Sequence, residues 1–249
     1  MSLDDTGAPV HVPSNVRRIV SLVPSLTESV AATVPEALVG ATDWCSHPAD
    51  LDVVRVRGTK NPDLDAIRRL APDVVLANAE ENRQPDIDAL REAGIAVWVT
   101  RIETVEEAFR SLDRMFRDAC RTARPEWLDR AESVWAEPVE VRRTAIIPIW
   151  RRPWMVVGRD TFTGDVLGRL GVGNLYAGHA ERYPKIALAE LVERGADLVV
   201  LPDEPYAFSA DDGPESFPGL RCVLVSGRDL TWYGPSLVDA RDRLLRRLG

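Results

Sequence analysis

One fourteen-residue pattern occurs twice in this chain, and it constrains the fold more than any other feature. Leu64 to Ala77 reads L-D-A-I-R-R-L-A-P-D-V-V-L-A, and Leu188 to Leu201 reads L-A-E-L-V-E-R-G-A-D-L-V-V-L. In each copy apolar residues at helical spacing lead, through Asp73 or Asp197, into an unbroken apolar run. An amphipathic helix buries one stripe, whereas a strand without polar alternation must be covered on both faces. The covering is normally by helices packed on a parallel sheet, which places the chain in the α/β class. Repeats this short also arise in unrelated α/β chains, so the pattern suggests two lobes without requiring them.

The same alternation runs through most of the chain. Short apolar runs suited to buried strands occupy Arg17–Val23, Ala37–Thr42, Asp73–Ala77 and Ile95–Thr100. Ser25-Leu26-Thr27-Glu28 has the spacing of a capping box and predicts a helix start there. Leu64, Ile67, Leu70 and Ala71, then Ile87, Leu90 and Ala93, mark two further helices. Past Arg101 the period changes. Val105, Ala108, Phe109, Leu112, Met115, Phe116 and Ala119 form one helical stripe, and Trp127, Leu128, Ala131, Val134 and Trp135 form another. Arg124-Pro125 separates them, because proline disfavours helix in the residue before it yet suits a first turn. Strand-like runs then resume at Thr144–Ile149, Trp154–Val157, Asp197–Leu201 and Cys222–Val225. A Thr-led helix from Phe162 to Leu170 stops at Gly171, and a closing helix covers about Pro235 to Leu248. The expected organisation is a loose arm (1–15), an N-terminal α/β lobe (16–102), a helical connector (103–138) and a C-terminal α/β lobe (139–249).

Composition and motif searches remove several functions. A net charge of −8 disfavours a nucleic-acid backbone as partner. Three separated cysteines with no C-x-x-C pair give neither a disulfide framework nor a zinc ribbon, and suit a reducing compartment. No run approaches the roughly 20 apolar residues of a membrane span. The first residues lack a basic start, an apolar core and a cleavage pattern, so the sequence as it stands reads as cytoplasmic, with the cell envelope as the alternative if the true start lies upstream. There is no G-x-S-x-G elbow, P-loop or H-E-x-x-H, and Gly171-Val172-Gly173 follows a helix without the third glycine of a dinucleotide loop. The chain is expected to be a monomeric binding protein rather than an enzyme, with no covalently bound cofactor.

Candidate chemistry gathers in loops that follow strands, where open α/β sheets place their ligands. Thr42 to Pro48 offers Trp44, Cys45 and His47. In an extended chain Cys45 and His47 project to one side and form an incomplete soft-metal pair, or else a packed cysteine beside a hydrogen-bonded histidine. Glu80-Glu81-Asn82-Arg83 brings Glu81 and Arg83 to a strand end, as ligand contacts or as a solvated turn. Trp150-Arg151-Arg152-Pro153-Trp154 interleaves rings and guanidinium groups, suited to a flat or partly anionic ligand, or to a hairpin with its rings in the core. Arg182 with Tyr183, and Tyr206 after Asp203-Glu204-Pro205, add two more aromatic loops.

Taken together, these segments resemble the solute-binding proteins of ABC importers for cobalamin and ferric siderophores, most closely the cobalamin-binding branch. The resemblance runs from about Arg17 to the C-terminus. It rests on R-I-V-S-L-V-P-S-L-T-E (18–28), T-D-W-C-S-H-P (42–48), G-T-K-N-P-D-L-D (58–65), A-P-D-V-V-L (71–76), E-E-N-R (80–83), W-M-V-V-G (154–158) and E-R-Y-P-K-I (181–186). It implies two Rossmann-like lobes with mostly parallel sheets, joined by a single long α-helix, with a ligand cleft between the lobes. That helix corresponds to the one starting near Pro125, which is short here. The resemblance places Trp44 and Tyr183 at family aromatic positions, and Trp150 lies in the second-lobe loop.

The ligand expected on this basis is a metal chelate, cobalamin or a related corrinoid first, with a ferric siderophore or haem as the alternative. A metal-handling protein or enzyme using Cys45 and His47 is the rival reading. The family docks on an ABC-importer permease through one carboxylate per lobe. Asp65 keeps that charge, but the matching second position is Ala189, with Glu190 one step along and turned by about 100°. The shifted carboxylate, together with the lack of an export signal, weakens the permease as a partner and favours cytosolic storage, sensing or delivery.

Overall fold

The computed structural model describes residues 2–249 and divides into two compact units. The first comprises the chain up to Arg101, Glu107–Asp129 and Tyr233–Pro235; the second comprises Ile102–Glu106, Arg130–Trp232 and Ser236–Gly249. The helical segment read as a connector is thus shared out, with 107–129 in the first unit and 130 onward in the second.

The first unit opens with β1 (Ser2–Leu3) and β2 (Pro9–Val10), an antiparallel pair. The arm is therefore not loose. Asp4 is buried and ion-paired to Arg91 at 2.8 Å, and the Asp5 carboxylate takes Arg114 at 2.7 Å. These long-range contacts, invisible in a short polar segment, tie it down. Next come β3 (Ile19–Ser21), α1 (Pro24–Ala31) and β4 (Leu38–Ala41). The capping box at Ser25 does not form. Pro24 occupies the first turn, Val23 is the N-cap with no side-chain cap bond, and Ser25 and Glu28 are buried within α1. Proline's fixed φ starts the helix two residues earlier than a cap at Ser25 would. The chain continues through β5 (Val54–Arg55), the β6–β7 hairpin (Arg57–Gly58, Asn61–Pro62), α2 (Leu64–Arg69), β8 (Val74–Asn78), α3 (Gln84–Glu92) and β9 (Val97–Thr100). The sheet order is β5-β4-β3-β8-β9, all parallel. Val20, Leu22, Val75 and Ala77 from its strands pack with Ile67, Ile87 and Leu90 from α2 and α3.

Two helical pieces follow, as the break at Arg124-Pro125 implies. The first, α4 (Val105–Arg114), runs into a π-helical turn at Met115–Cys120 that ends at Arg121 with φ 55°. The second, α5 (Glu126–Trp135), has ten residues and so rises about 15 Å.

The second unit contains β10 (Val139–Ile146), a hairpin of β11 (Pro148–Arg151) and β12 (Trp154–Val156), α6 (Phe162–Arg169), β13 (Leu170–Asn174), α7 (Leu188–Glu193), β14 (Leu198–Pro202), β15 (Cys222–Val225), α8 (Gly227–Thr231) and α9 (Leu237–Leu248). Its parallel sheet has the order β13-β10-β14-β15. The run read as a strand at Trp154 belongs to the antiparallel hairpin instead, and β13 is a strand where none was expected.

Numbered within each unit, both sheets have the order second, first, third, fourth, with β5 as an added edge in the first unit. The repeated aspartates explain how each is registered. Asp73 accepts hydrogen bonds from the backbone N–H of Arg17 (2.8 Å) and Arg18 (2.9 Å), at the foot of the central strand β3. Asp197 accepts from the backbone N–H of Thr144 (2.7 Å) and its hydroxyl (2.9 Å) on the central strand β10. Each carboxylate precedes the third strand and pins the strand beside it, one step before Ile19↔Val74 and Ala145↔Leu198 respectively.

Candidate functional site

The reversal of strand order beside a central strand opens a crevice at the strands' C-terminal ends, the usual ligand position in such sheets. In the first unit the reversal lies at β3 and β8. The loop after β8 is built on two buried asparagines. Asn78 Oδ1 accepts the N–H of Glu80 (2.9 Å) and Glu81 (3.2 Å), and its Nδ2 donates to the Thr100 hydroxyl (3.1 Å). Asn82 accepts the Asn78 N–H at 2.9 Å and donates to the carbonyls of Thr59 (3.0 Å) and Leu22 (3.3 Å). A fixed loop therefore presents Glu81, which is half-buried. Arg83, by contrast, is exposed and spans both oxygens of Asp86 at 2.9 and 3.1 Å, a local ion pair at the start of α3.

After β4, Trp44 stands 68% exposed. Gly58 makes room for it, since a Cβ there would lie 3.3 Å from Trp44 Nε1. Cys45 turns the other way. It is fully buried, and its Sγ meets the hydroxyls of Thr27 (3.0 Å) and Thr42 (3.1 Å). Burial pushes its thiol up, against the lowering effect of those hydrogen bonds and of Arg55, so the thiolate that a metal would need is disfavoured. His47 is half-buried, its Nδ1 3.1 Å from the Ser46 hydroxyl. Among the described residues no three His, Cys, Asp or Glu side chains are grouped to hold a metal ion. Cys45 thus braces the Trp44 loop from beneath.

In the second unit the reversal lies at β10 and β14, and the β11–β12 hairpin and the loop after Pro202 emerge there. These two segments share a chain of rings. Trp150, 43% exposed, meets Tyr206 edge-on at 5.6 Å; Tyr206 lies 4.6 Å from Phe208; Phe208 stacks on Trp154 at 6.1 Å; and Trp154 meets Phe217 edge-on at 5.2 Å. Phe208 and Phe217 belong to the core, so the exposed end of the series is anchored by the buried end. Arg151 is not free. Its two terminal nitrogens contact Asp212 and Glu215, and its guanidinium carbon lies 5.6 Å over Trp154. Tyr206 donates to Asp212 Oδ2 at 2.6 Å. Arg182 reaches Glu103 at 3.3 Å, and the half-buried Tyr183 follows it on a segment bonded to the β12 edge through Gly158 N–H to Arg182 C=O (2.7 Å) and Val156 N–H to Pro184 C=O (3.1 Å).

The two docking candidates both lie in first helical turns. The Asp65 side chain on α2 is 74% exposed and pairs with Arg68 at 2.8 Å. Glu190 on α7 is exposed, and its Oε1 accepts from the Tyr176 hydroxyl at 3.3 Å. Sequence reasoning missed Asp212 and Glu215. The acid-rich run D-D-G-P-E was visible, but no periodicity tied it to Arg151.

The model of the periplasmic binding protein family matches residues 19–217. A vitamin B12-binding protein of Vibrio parahaemolyticus is 22% identical, over 87% of this chain and 82% of its own length. Among solved structures, the periplasmic vitamin B12 binding protein of Vibrio cholerae superposes with a TM-score of 0.76 at 17% identity, covering 94% of this chain and 96% of that one. The periplasmic heme-binding protein of Roseiflexus sp. RS-1, without ligand, gives 0.73 at 16% identity, covering 94% and 100%. At these identities the two superpositions establish a shared fold.

Proposed function

The chain belongs to the periplasmic binding protein family, whose members bind solutes rather than catalyse reactions, and on that premise we propose that it binds a metal chelate, cobalamin or a related corrinoid first. One observation carries the reading. Of seven tryptophans, only Trp44 and Trp150 are exposed; Trp44 lies in the loop that follows β4, and Trp150 lies on the β11–β12 hairpin that follows the central strand β10. Leaving such a ring in water forgoes roughly 1.5–3 kcal/mol of burial, which a ligand seated on it would recover. A corrin offers a broad face for stacking on Trp150 and an amide rim for a polar neighbour such as the adjoining Tyr206. The vitamin B12-binding relatives support the corrinoid, and the heme-binding structural neighbour supports haem as the second reading. Asp65 is the carboxylate we propose for docking on an importer permease. Glu190 stands one position past the place that matches Asp65, which Ala189 occupies, and serves that role less well.

Titration with cyanocobalamin and hydroxocobalamin, followed by tryptophan fluorescence, tests this. Saturable quenching is expected with Kd below about 10 μM, weakened roughly tenfold in Trp150→Ala. No response up to about 1 mM of either corrinoid refutes the corrinoid reading.

A further inference from the structure

We infer that the aromatic surface of the second unit selects an uncharged chelate over a carboxylate-bearing one, because Asp212 and Glu215 neutralise the arginine set between its rings. The inference rests on the chelate-binding reading above. A free guanidinium between two tryptophans would attract an anionic ligand. Here Arg151 is only 18% exposed at its side chain, and each terminal nitrogen already has a carboxylate; one of them also reaches the Ser216 hydroxyl at 3.3 Å. Both acids are themselves fixed. Glu215 Oε2 accepts the Gly213 N–H at 2.6 Å, and Asp212 Oδ2 accepts the Tyr206 hydroxyl at 2.6 Å. The cage is therefore coupled to Tyr206, whose ring meets Trp150.

The local charge follows from the count. Two carboxylates face one guanidinium, leaving one negative charge within the cage itself, and the exposed Asp203 and Asp211 lie in the same loop. Residues 202–220 contain no lysine or arginine; Arg152, at the exposed hairpin turn, is the nearest base in sequence to Arg151. A ligand carboxylate reaching these rings meets like charge, and to pair with Arg151 it must first displace an acid already bonded there. A neutral amide meets neither obstacle.

The test compares cyanocobalamin with its monocarboxylate, made by hydrolysing one peripheral amide, so that ring and metal are unchanged. The native chain should bind the amide form roughly tenfold more tightly at low salt, with the ratio narrowing as salt rises. Asp212→Asn combined with Glu215→Gln should bring the ratio close to one, and Arg151→Gln should keep or widen it. Equal affinity of the native chain for both corrinoids overturns the inference while leaving the corrinoid reading intact. A ratio that persists in the double variant, or collapses in Arg151→Gln, also overturns it. If the double variant does not fold, the native ratio and Arg151→Gln decide. If neither corrinoid binds, the corrinoid reading fails, and haem against its uncharged dimethyl ester applies the same criterion: tighter binding of free haem overturns the charge preference.

Discussion

At Gly158 the packing leaves no room for a side chain against the segment that carries Arg182 and Tyr183. Adding a Cβ there would bring it to 2.3 Å from the Glu181 carbonyl oxygen and 3.0 Å from that of Arg182. Those atoms are backbone, so relief requires moving the whole 181–184 segment by about 1 Å. The segment cannot move freely, because it is paired to β12 through the Gly158 and Val156 N–H bonds and through the Met155↔Lys185 bridge. Overpacking of this kind costs about 1–3 kcal/mol, and loss of the 2.7 Å Gly158–Arg182 bond adds about 1 kcal/mol. Gly158→Ala should therefore destabilise by about 2–4 kcal/mol, lowering the calorimetric Tm by roughly 5–12 °C in a protein of this size. Gly178→Ala is the internal control. Nothing lies within 4 Å of its added Cβ, so a small gain of about 0.4–1 kcal/mol is expected from the restricted unfolded chain. A Gly158→Ala midpoint within about 1 °C of native, measured beside that control, would refute the claim that 181–184 is held rigidly against β12.

Two further outcomes follow from buried titratable groups. Burial, and then the Asp203 charge, hold the Glu204 carboxyl above its ordinary 4.5. A folded value above the unfolded one means that this group's stabilisation is complete below about 4.5 and is lost as pH rises through the raised value. Glu204→Gln should then raise Tm at pH 8 and flatten the decline that sets in above pH 4.5; a Tm lowered at pH 8 would contradict the assignment. For the thiols, burial pushes Cys120 up to about 12 and raises Cys45, and burial with the Glu215 charge raises Cys222 too; but only Cys222 is half-buried and open to a reagent. Iodoacetamide at mild alkaline pH should label Cys222 first and reach Cys45 and Cys120 only after urea is added. Peptide mass mapping that finds Cys45 labelled as fast as Cys222 would disprove the inward orientation of Cys45.

Much of the architecture was legible because burial leaves a period in the sequence. The apolar runs ending at Thr42, Ala77, Thr100 and Leu201 read as two-face-covered strands, and the repeated Asp before β8 and β14 points to two similar halves. What failed did so for local reasons. Leu170-Gly171-Val172-Gly173-Asn174 gives no strand signal, because its glycines carry no β-propensity. One of them, Gly171, needs φ +81° where the chain turns from α6 into β13. The run from Thr144 looked continuous, yet Ile147 separates β10 from a hairpin, a break that hydrophobicity does not mark. At the candidate site, strand-end position identified Trp44, Trp150 and Tyr206, whereas side-chain direction was hidden. Cys45 and His47 alternate correctly for an extended chain, but the backbone turns at Trp44, where the Ser46 N–H bonds the Trp44 carbonyl, and the two part company. Arg151 read as available for an anion because its partners lie more than sixty positions away, in a stretch with no period at all.

The paired aspartate staples carry a consequence for how such a chain can change. Because Asp73 and Asp197 fasten the sheets at their lower rims, strand alignment does not depend on what happens at the upper rims. The two upper loops accordingly differ in character, E-E-N-R on asparagine supports in one unit and D-E-P-Y leading into a ring-and-acid cluster in the other. Recognition can be rewritten at either rim, one loop at a time, without renegotiating the framework that holds it.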